Sequence, residues 1–470
     1  MAEKSFSSRR TVLGSIGSLG IGLTGFSGST LASNGEDDES LGDDFETTLH
    51  EIAADTWSFF DAFATKETGL VPDRVDAEGE AYEPADHTSP ANIGVQLLST
   101  VAASNLDILE ASEAHNRIET ILDTIEDLET WNGHLYRWYD VHAGSIEDEF
   151  GGWWEISTID NGWYTAGLVT AAGAFPALQS RIDALLSAQN YEILYDSEVY
   201  NPFADDFSFG HLLGGYDARN DESLGFHYGT FNSETRISSY VAIGKGDVPG
   251  SHWWDPFRTF PPEWGQNKDP EGEFRTYEGE RVWEGHYEHD GTKYVPSWGG
   301  SMFESLMPSL VLPELEVGGR ALGENNARQV QLQIDHAEEQ GYDAWGFSPC
   351  AVPDSYAEFA VDYAGIYGYN RDDFATPHAT FLGLEYADRS AVESSLEAYT
   401  DRGLYTKYGF FDSMSVVDDT VTESYLLLDQ AISLVAIANY LTDGSVRHDF
   451  RRHSIGEEPT DLLAKERFTI

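Results

Sequence analysis

Positive charge is what this sequence has least of. Its 470 residues hold 27 Lys and Arg against 82 Asp and Glu, a formal net charge of −55. A surface of that sign repels a polyanion, which excludes nucleic-acid recognition through phosphate contacts. Cysteine is nearly absent. Cys350 alone excludes an internal disulfide framework and any zinc site built on several thiolates. A long apolar run is missing too: the uncharged stretch 11–32 is interrupted by Gly14, Gly17, Gly20, Gly22, Gly25 and Gly28, which leaves it weakly hydrophobic for a stable membrane span. What is present points to a folded chain. It is 41% hydrophobic and 13% aromatic, with 12 Trp, 24 Tyr and 25 Phe, enough for a sizeable core and against disorder.

The acidity runs along the whole length and not in one tail. Like charges repel over roughly 10 Å at 0.1 M salt but only about 3 Å at 1 M, so such a surface is tolerable where salt is concentrated. A halophilic source, an archaeon, is the expectation; a surface for a cationic partner is the plainer alternative. Ser8-Arg9-Arg10-Thr11-Val12-Leu13 precedes the uncharged stretch, and small residues close it near Thr30-Leu31-Ala32. This arrangement resembles a Tat export signal, which implies a Tat translocase as a transient partner and a secreted or cell-surface product. The expected organisation is a signal at 1–32, an acidic linker at 33–44, one large domain at 45–444 and a tail at 445–470. Whether the tail packs back or stays loose is left open.

Helical periodicity dominates the periodic segments. Helices are expected over Phe45–Ala64, Ser89–Asn105, Ala111–Thr130, Ile159–Ala174, Ala177–Gln189 and Ser233–Gly244, then over Ser301–Val311, Gly323–Gln340, Pro377–Tyr386, Ala391–Tyr399 and Glu423–Leu441. Ser89-Pro90 and Thr376-Pro377 place a cap before a first-turn proline. Ala111–Thr130 is charged on one face and belongs outside; Ser89–Asn105 and Glu423–Leu441 are apolar nearly all round and belong inside. Alternation of the two types predicts an all-α fold, an α/α toroid of two helix rings, with inner N-termini opening onto one end. Four loops rich in Trp, Tyr, Gly and Asp, at 131–154, 191–231, 251–298 and 344–374, would surround a cleft there. Arg281-Val282-Trp283 is expected to be a short strand.

A cleft lined with loop aromatics suits sugars, whose flat C–H faces stack on rings while their hydroxyls bind polar side chains. Trp138, Trp154, Trp163 and Trp298 are the candidates, with core packing as the plain alternative for each. Two acids stand at expected helix starts: Asp160 in Ser157-Thr158-Ile159-Asp160-Asn161-Gly162, and Glu234 in Asn232-Ser233-Glu234-Thr235-Arg236. Glycoside hydrolysis needs two carboxyl groups, one to protonate the leaving oxygen and one to activate water or attack. An acid in a first helical turn also simply complements the helix dipole. Glu304, Asp354, Asp429, His134 and Arg236 are expected contacts for sugar hydroxyls, and Asp429, inside an apolar helix, carries a structural reading as well. His87, His134, His211, His252 and His378 form no close ligand pairs in sequence, so no metal and no cofactor is expected. No serine elbow, Walker loop or dinucleotide glycine motif occurs.

Thr88-Ser89-Pro90-Ala91-Asn92-Ile93-Gly94, the block 157–168, Ser233-Glu234-Thr235-Arg236 through Pro249, and Trp298 to Pro308 resemble the glucoamylase-like (glycoamylase) domain family. So do Trp345-Gly346-Phe347-Ser348-Pro349, Thr376-Pro377-His378-Ala379, Tyr408-Gly409-Phe410-Phe411-Asp412-Ser413 and Leu428-Asp429-Gln430. The family includes endo-β-1,2-glucanases, sophorohydrolases and the transglycosylating domain of cyclic β-1,2-glucan synthases. The resemblance implies an (α/α)6 barrel, a catalytic acid at Glu234 and a second important acid at Asp160. One departure stands out. The transglycosylating domains carry a catalytic Glu after the Trp-Gly pair, where this chain reads Phe347-Ser348-Pro349-Cys350-Ala351. Asp354 and Glu358 lie nearby. The pattern tilts the expectation towards hydrolysis.

The leading expectation is therefore a secreted glycoside hydrolase of β-glucan, β-1,2-linked glucan first. A glycan transglycosylase and a non-catalytic carbohydrate-binding envelope protein are the alternatives on the same scaffold. A polysaccharide lyase using His134, Tyr136 and Arg137 is disfavoured because its uronate substrate is anionic.

Overall fold

A computed structural model describes residues 45–79, 81–146, 154–353 and 355–470. The expected export signal and linker, and Asp354, lie outside the described residues. The chain is mostly helical. Helices α1 (Phe45–Phe63), α2 (Pro90–Asn105), α3 (Ala111–Asp127), α4 (Thr158–Ala174), α5 (Gln179–Ala188) and α6 (Arg236–Lys245) fill the first half. They are followed by α7 (Met302–Leu306), α8 (Leu322–Gln340), α9 (Pro377–Leu382), α10 (Arg389–Asp401) and α11 (Leu427–Leu441). Three more, α12 (Ser445–Arg451), α13 (Ser454–Glu457) and α14 (Thr460–Lys465), occupy the segment the sequence leaves undecided.

Capping explains where the helices start. The Ser89 hydroxyl accepts from Asn92 N at 3.2 Å, with Pro90 at the first helical position. Ser157 accepts from Asp160 N at 3.3 Å. Ser301 and Glu304 form a reciprocal capping box on α7. The expected helix at Glu423 begins four residues late, at Leu427, because Ser424–Leu426 pairs instead as a strand with Arg74–Asp76.

Burial follows the two helix types. α2 is buried from Pro90 to Ala103, whereas α3 buries only the stripe Ala114, Ile118, Ile121, Leu122 and Ile125. Each Leu or Ile fully buried on such a stripe contributes roughly 1.5–3 kcal/mol. α2 packs on α4 and α11, α4 on α6, α7 on α9, and α9 on α11. α1 packs against α11, α3 against α2, α5 against α4, α8 against α7 and α10 against α9. Glycine sets the closest approaches. A Cβ on Gly94 would sit 2.2 Å from the Trp163 carbonyl oxygen, and one on Gly162 2.1 Å from Ser238 Oγ. Neither site tolerates alanine without the helices moving apart.

The expectation of an all-α chain holds for this scaffold and fails in the loops. Those loops fold into small antiparallel sheets, none with more than three strands among the described residues. Periodicity misses them because short strands carry little pattern of their own. The longest, Glu280–His289, contains the expected strand at Arg281-Val282-Trp283 and pairs with Glu271–Tyr277 and Thr292–Tyr294. Its turn Asp290-Gly291 has both residues at positive φ, as a tight hairpin requires.

The C-terminal segment closes over the body. Arg447 reaches Glu385 at 2.7 Å and Glu316 at 3.0 Å. Farther on, Glu466 is pinned by the Arg258 guanidinium and by Trp253 Nε1 at 2.9 Å. Arg258 thus faces two buried carboxyl groups, Glu466 and Glu284, and cannot neutralise both. Burial pushes Glu284 up to about 7; Arg258 opposes the rise and Glu466 adds to it. The folded state keeps a proton there that the unfolded chain releases near 4.5. The stability from this group is complete below the unfolded value and is lost as pH rises through about 7. Glu284→Gln, which mimics the protonated form, is expected to remove that loss. The melting temperature of the variant relative to the parent should then rise between about pH 5 and pH 8. Calorimetry across that range checks it, and a flat difference contradicts it.

Candidate active site

One cleft of about 820 Å³ is lined from both the helices and the loops. The first turns of α2, α4, α7 and α11 supply Ala91, Asp160, Glu304 and Leu428, and the turn entering α6 supplies Glu234. Helix N-termini thus converge on one end, as the sequence predicts, and their partial positive charge favours the carboxylates gathered there. Each of the four expected loops contributes: Arg137, then Val199 to Thr230, then Phe257 to Trp298, then Pro349 to Tyr369.

The close packing of α4 on α6 unites the two principal acids. Gly162 lets Ser238 approach, and the Ser238 hydroxyl donates to the Thr158 carbonyl at 3.1 Å. Asp160 and Glu234, 74 residues apart in sequence (234 − 160), therefore face the same cleft. Asp160 is 2% exposed, whereas Glu234 is half-buried.

Glu304 lines the cleft, but its carboxylate is occupied by its own loop. Oε2 accepts from Ser297 Oγ at 2.9 Å and Gly299 N at 2.8 Å, while Oε1 accepts from the Tyr369 hydroxyl at 3.0 Å. Burial, together with Glu304, Glu358 and Glu234, raises the Tyr369 phenol far above its ordinary value. Tyr369 therefore stays a neutral O–H donor among three carboxylates. Arg137 and Glu155 pair at 2.5 Å on the cleft lining. Burial first, and then neighbouring His252, lowers His211 to about 3, so this cleft histidine stays neutral.

Trp163 and Trp298 are among the residues lining the cleft, Trp163 at 1% exposure and so packed largely in the core. The remaining expected contacts do not lie among its described lining residues. Trp138 packs edge-on against His87 at 4.8 Å, and Trp154 lies under Arg219 at 5.0 Å. His134 is fully buried, donates from Nε2 to Asn190 O at 2.9 Å, and is lowered to about 4 by burial. Arg236 is buried in a two-point pair with Glu314, at 2.6 and 3.0 Å. Asp429 is buried beside His378 at 3.5 Å, which favours its structural reading. His134, Arg236 and Asp429 are buried, and Trp138 and Trp154 are half-buried against other side chains, which residue type alone does not reveal. Conversely, Tyr369, Glu155 and the walls Phe257, Phe260 and Tyr228 enter the cleft from the loops, Glu155 where Glu155–Ser157 pairs with Gly215–Asp217 and Tyr228 where His227–Tyr228 pairs with Leu212 and Leu213. Glu358, which the sequence reading places only near the altered segment, lines the cleft too.

The structure also assembles what spacing does not show: ligand atoms of His378, Asp412 and Asp429 lie within 4.8 Å of one another. Thr376 Oγ1 sits 2.5 Å from His378 Nδ1, and Asp412 accepts from Ala351 N at 2.6 Å. Among the described residues, no helix is long and apolar enough to cross a membrane.

Comparison with known proteins bears out the resemblance read in the sequence. The Glycoamylase family, described as "Putative glucoamylase", matches residues 274–454, and a family of unknown function, DUF3131, matches residues 51–206. The cyclic β-(1,2)-glucan synthase NdvB of Rhizobium meliloti is 24% identical over 89% of this chain. The chain spans only 18% of the length of that relative. Among solved structures, an endo-β-1,2-glucanase from Chitinophaga pinensis is 17% identical with a TM-score of 0.68, covering 89% of this chain and 98% of its own. A protein from Bacteroides fragilis described as a "putative glucoamylase" is likewise 17% identical with a TM-score of 0.68, over 92% and 99%. These structures share the fold.

Proposed function

We propose that the chain is a glycoside hydrolase that cleaves β-glucan, with β-1,2-glucan as its substrate. The observation that carries this reading is the placement of Asp160 and Glu234 in one aromatic-walled cleft. One of the two protonates the glycosidic oxygen as the C–O bond breaks, and the other takes a proton from the attacking water. The proton count closes, because the base regains what the acid gives. Tyr369 keeps a neutral hydroxyl near Glu234, donating to Glu304. A glucan synthase and a glucanase, both of β-1,2 linkage, among the similar proteins support the choice of sugar. The helix contacts support an (α/α)6 toroid, with α2, α4, α6, α7, α9 and α11 as its inner ring. The α6–α7 link in that ring is made by Arg236, which donates to the Ser305 carbonyl.

The net charge of −55 supports work in concentrated salt. The twin arginine supports secretion through a Tat translocase. Incubation at molar salt with linear β-1,2-glucan, laminarin, cellulose oligomers and starch tests the reading. Soluble sophoro-oligosaccharides from the first alone are expected; products from starch alone would overturn it. Glycan transfer is the second reading, favoured by Glu358 in the cleft and by the similarity to NdvB.

A further inference from the structure

Large apolar side chains on the surface are not scattered evenly. Among the described residues seven are exposed, and three of them, Tyr200, Trp264 and Tyr367, line the cleft that holds Asp160 and Glu234. Trp264 is 44% exposed and Tyr367 45%. A ring left in water at a cleft mouth forgoes burial that other tryptophans of the chain obtain, which points to a ligand that covers it.

These rings stand on a rigid base. Phe260 meets Trp264 edge-on at 5.7 Å and Tyr367 at 5.9 Å, and Trp298 meets Tyr367 at 4.7 Å. Beneath them Phe209, Phe257, Phe260 and Ile366 form a small apolar core separate from the main one. The backbone is tied as well: Tyr367 N donates to Trp298 O at 3.1 Å, and Ile366 N to Ser297 O at 2.8 Å. Gln266 Nε2 donates to Phe260 O at 3.0 Å. The Tyr200 hydroxyl is held by Asp205 at 3.0 Å, and Glu263, the neighbour of Trp264, bears on its phenol. Tyr200 and Trp264 line the same cleft. Rings fixed in this way lose little entropy on binding.

The occupant is constrained by charge. The acid-rich lining repels anionic polymers, and flat apolar faces suit the C–H faces of neutral sugar rings. We propose that Trp264 and Tyr367, together with Tyr200, form an outer subsite that stacks glucosyl units remote from the scissile bond, so that the cleft selects for chain length. This rests on the glucanase reading.

Binding to the Glu234→Gln protein, measured calorimetrically with β-1,2-, β-1,3- and β-1,4-linked gluco-oligosaccharides of increasing length, tests it. In that background Trp264→Ala and Tyr367→Ala are expected to weaken the longer members of the binding series by about 2- to 10-fold each. The shortest should keep their affinity, and Tyr367→Phe should restore the long ones. If β-1,2 chains bind but the substitutions act equally at every length, or not at all, the outer subsite is overturned and the glucanase reading stands. A length-dependent loss in another linkage series alone overturns the β-1,2 assignment and keeps the subsite. Absence of binding in every series overturns both.

Discussion

Glu234→Gln is expected to lower turnover of β-1,2-glucan by about 10²–10⁴-fold, and Asp160→Asn by a similar factor. Glutamine keeps the shape of the side chain but can neither deliver nor accept the proton that glycosidic cleavage moves. The fold should survive. Glu234 is half-buried in a turn, and the cap on α4 runs through the backbone N–H of Asp160 and not its carboxylate. The double variant should lose little beyond the worse single one, because acid and base act in one transition state. Initial rates of reducing-end release, with melting curves as a control for folding, check the prediction. Full activity of Glu234→Gln would remove the acid from the mechanism.

The second large effect is on stability. Arg236→Met is expected to cost about 3–5 kcal/mol, because it strands Glu314 as an unpaired charge in the interior. Glu314 is fully buried, and its two oxygens accept from Arg236 at 2.6 and 3.0 Å. The same guanidinium donates to Ser233 O at 2.9 Å and to the Ser305 carbonyl. It therefore fixes the turn that presents Glu234, and activity should fall together with stability. Glu314→Gln should cost less: the buried Arg236 guanidinium loses its counter-charge but keeps the amide oxygen and the Ser233 and Ser305 carbonyls as acceptors. The double replacement Arg236→Met with Glu314→Leu should recover most of the loss, since an apolar pair of similar volume packs in place of the ion pair. Urea unfolding of the four proteins measures this; a double variant as unstable as Arg236→Met alone would contradict it.

Arg236 also marks how far sequence reasoning reaches. It stands beside Glu234 in Ser233-Glu234-Thr235-Arg236, yet its side chain is buried; a charged residue reads as exposed until a buried partner such as Glu314, 78 residues away, is known. The helices were legible where caps and periodicity agree, as at Ser89-Pro90 and along the stripe of α3. That Asp160 and Glu234 face one cleft was legible because both stand at or next to a helix start, and an acid in a first turn points to the N-terminal end of its helix. Tyr369 and Glu155 were not. Their places depend on backbone contacts between distant loop segments, Tyr369 N with Gly299 O and Glu155–Ser157 with Gly215–Asp217, too short to leave a period in the sequence. Trp138 and Trp154 illustrate the reverse error, loop tryptophans that pack against His87 and Arg219 instead of facing the described cleft.

The most direct test of the central claim follows the oxygen atom. Linear β-1,2-glucan is digested in water enriched in ¹⁸O at molar salt, and the products are weighed by mass spectrometry. Hydrolysis through Asp160 and Glu234 predicts one ¹⁸O at each new reducing end and a falling mean chain length. Rearranged or cyclic products without ¹⁸O would contradict it and assign the cleft to glycan transfer.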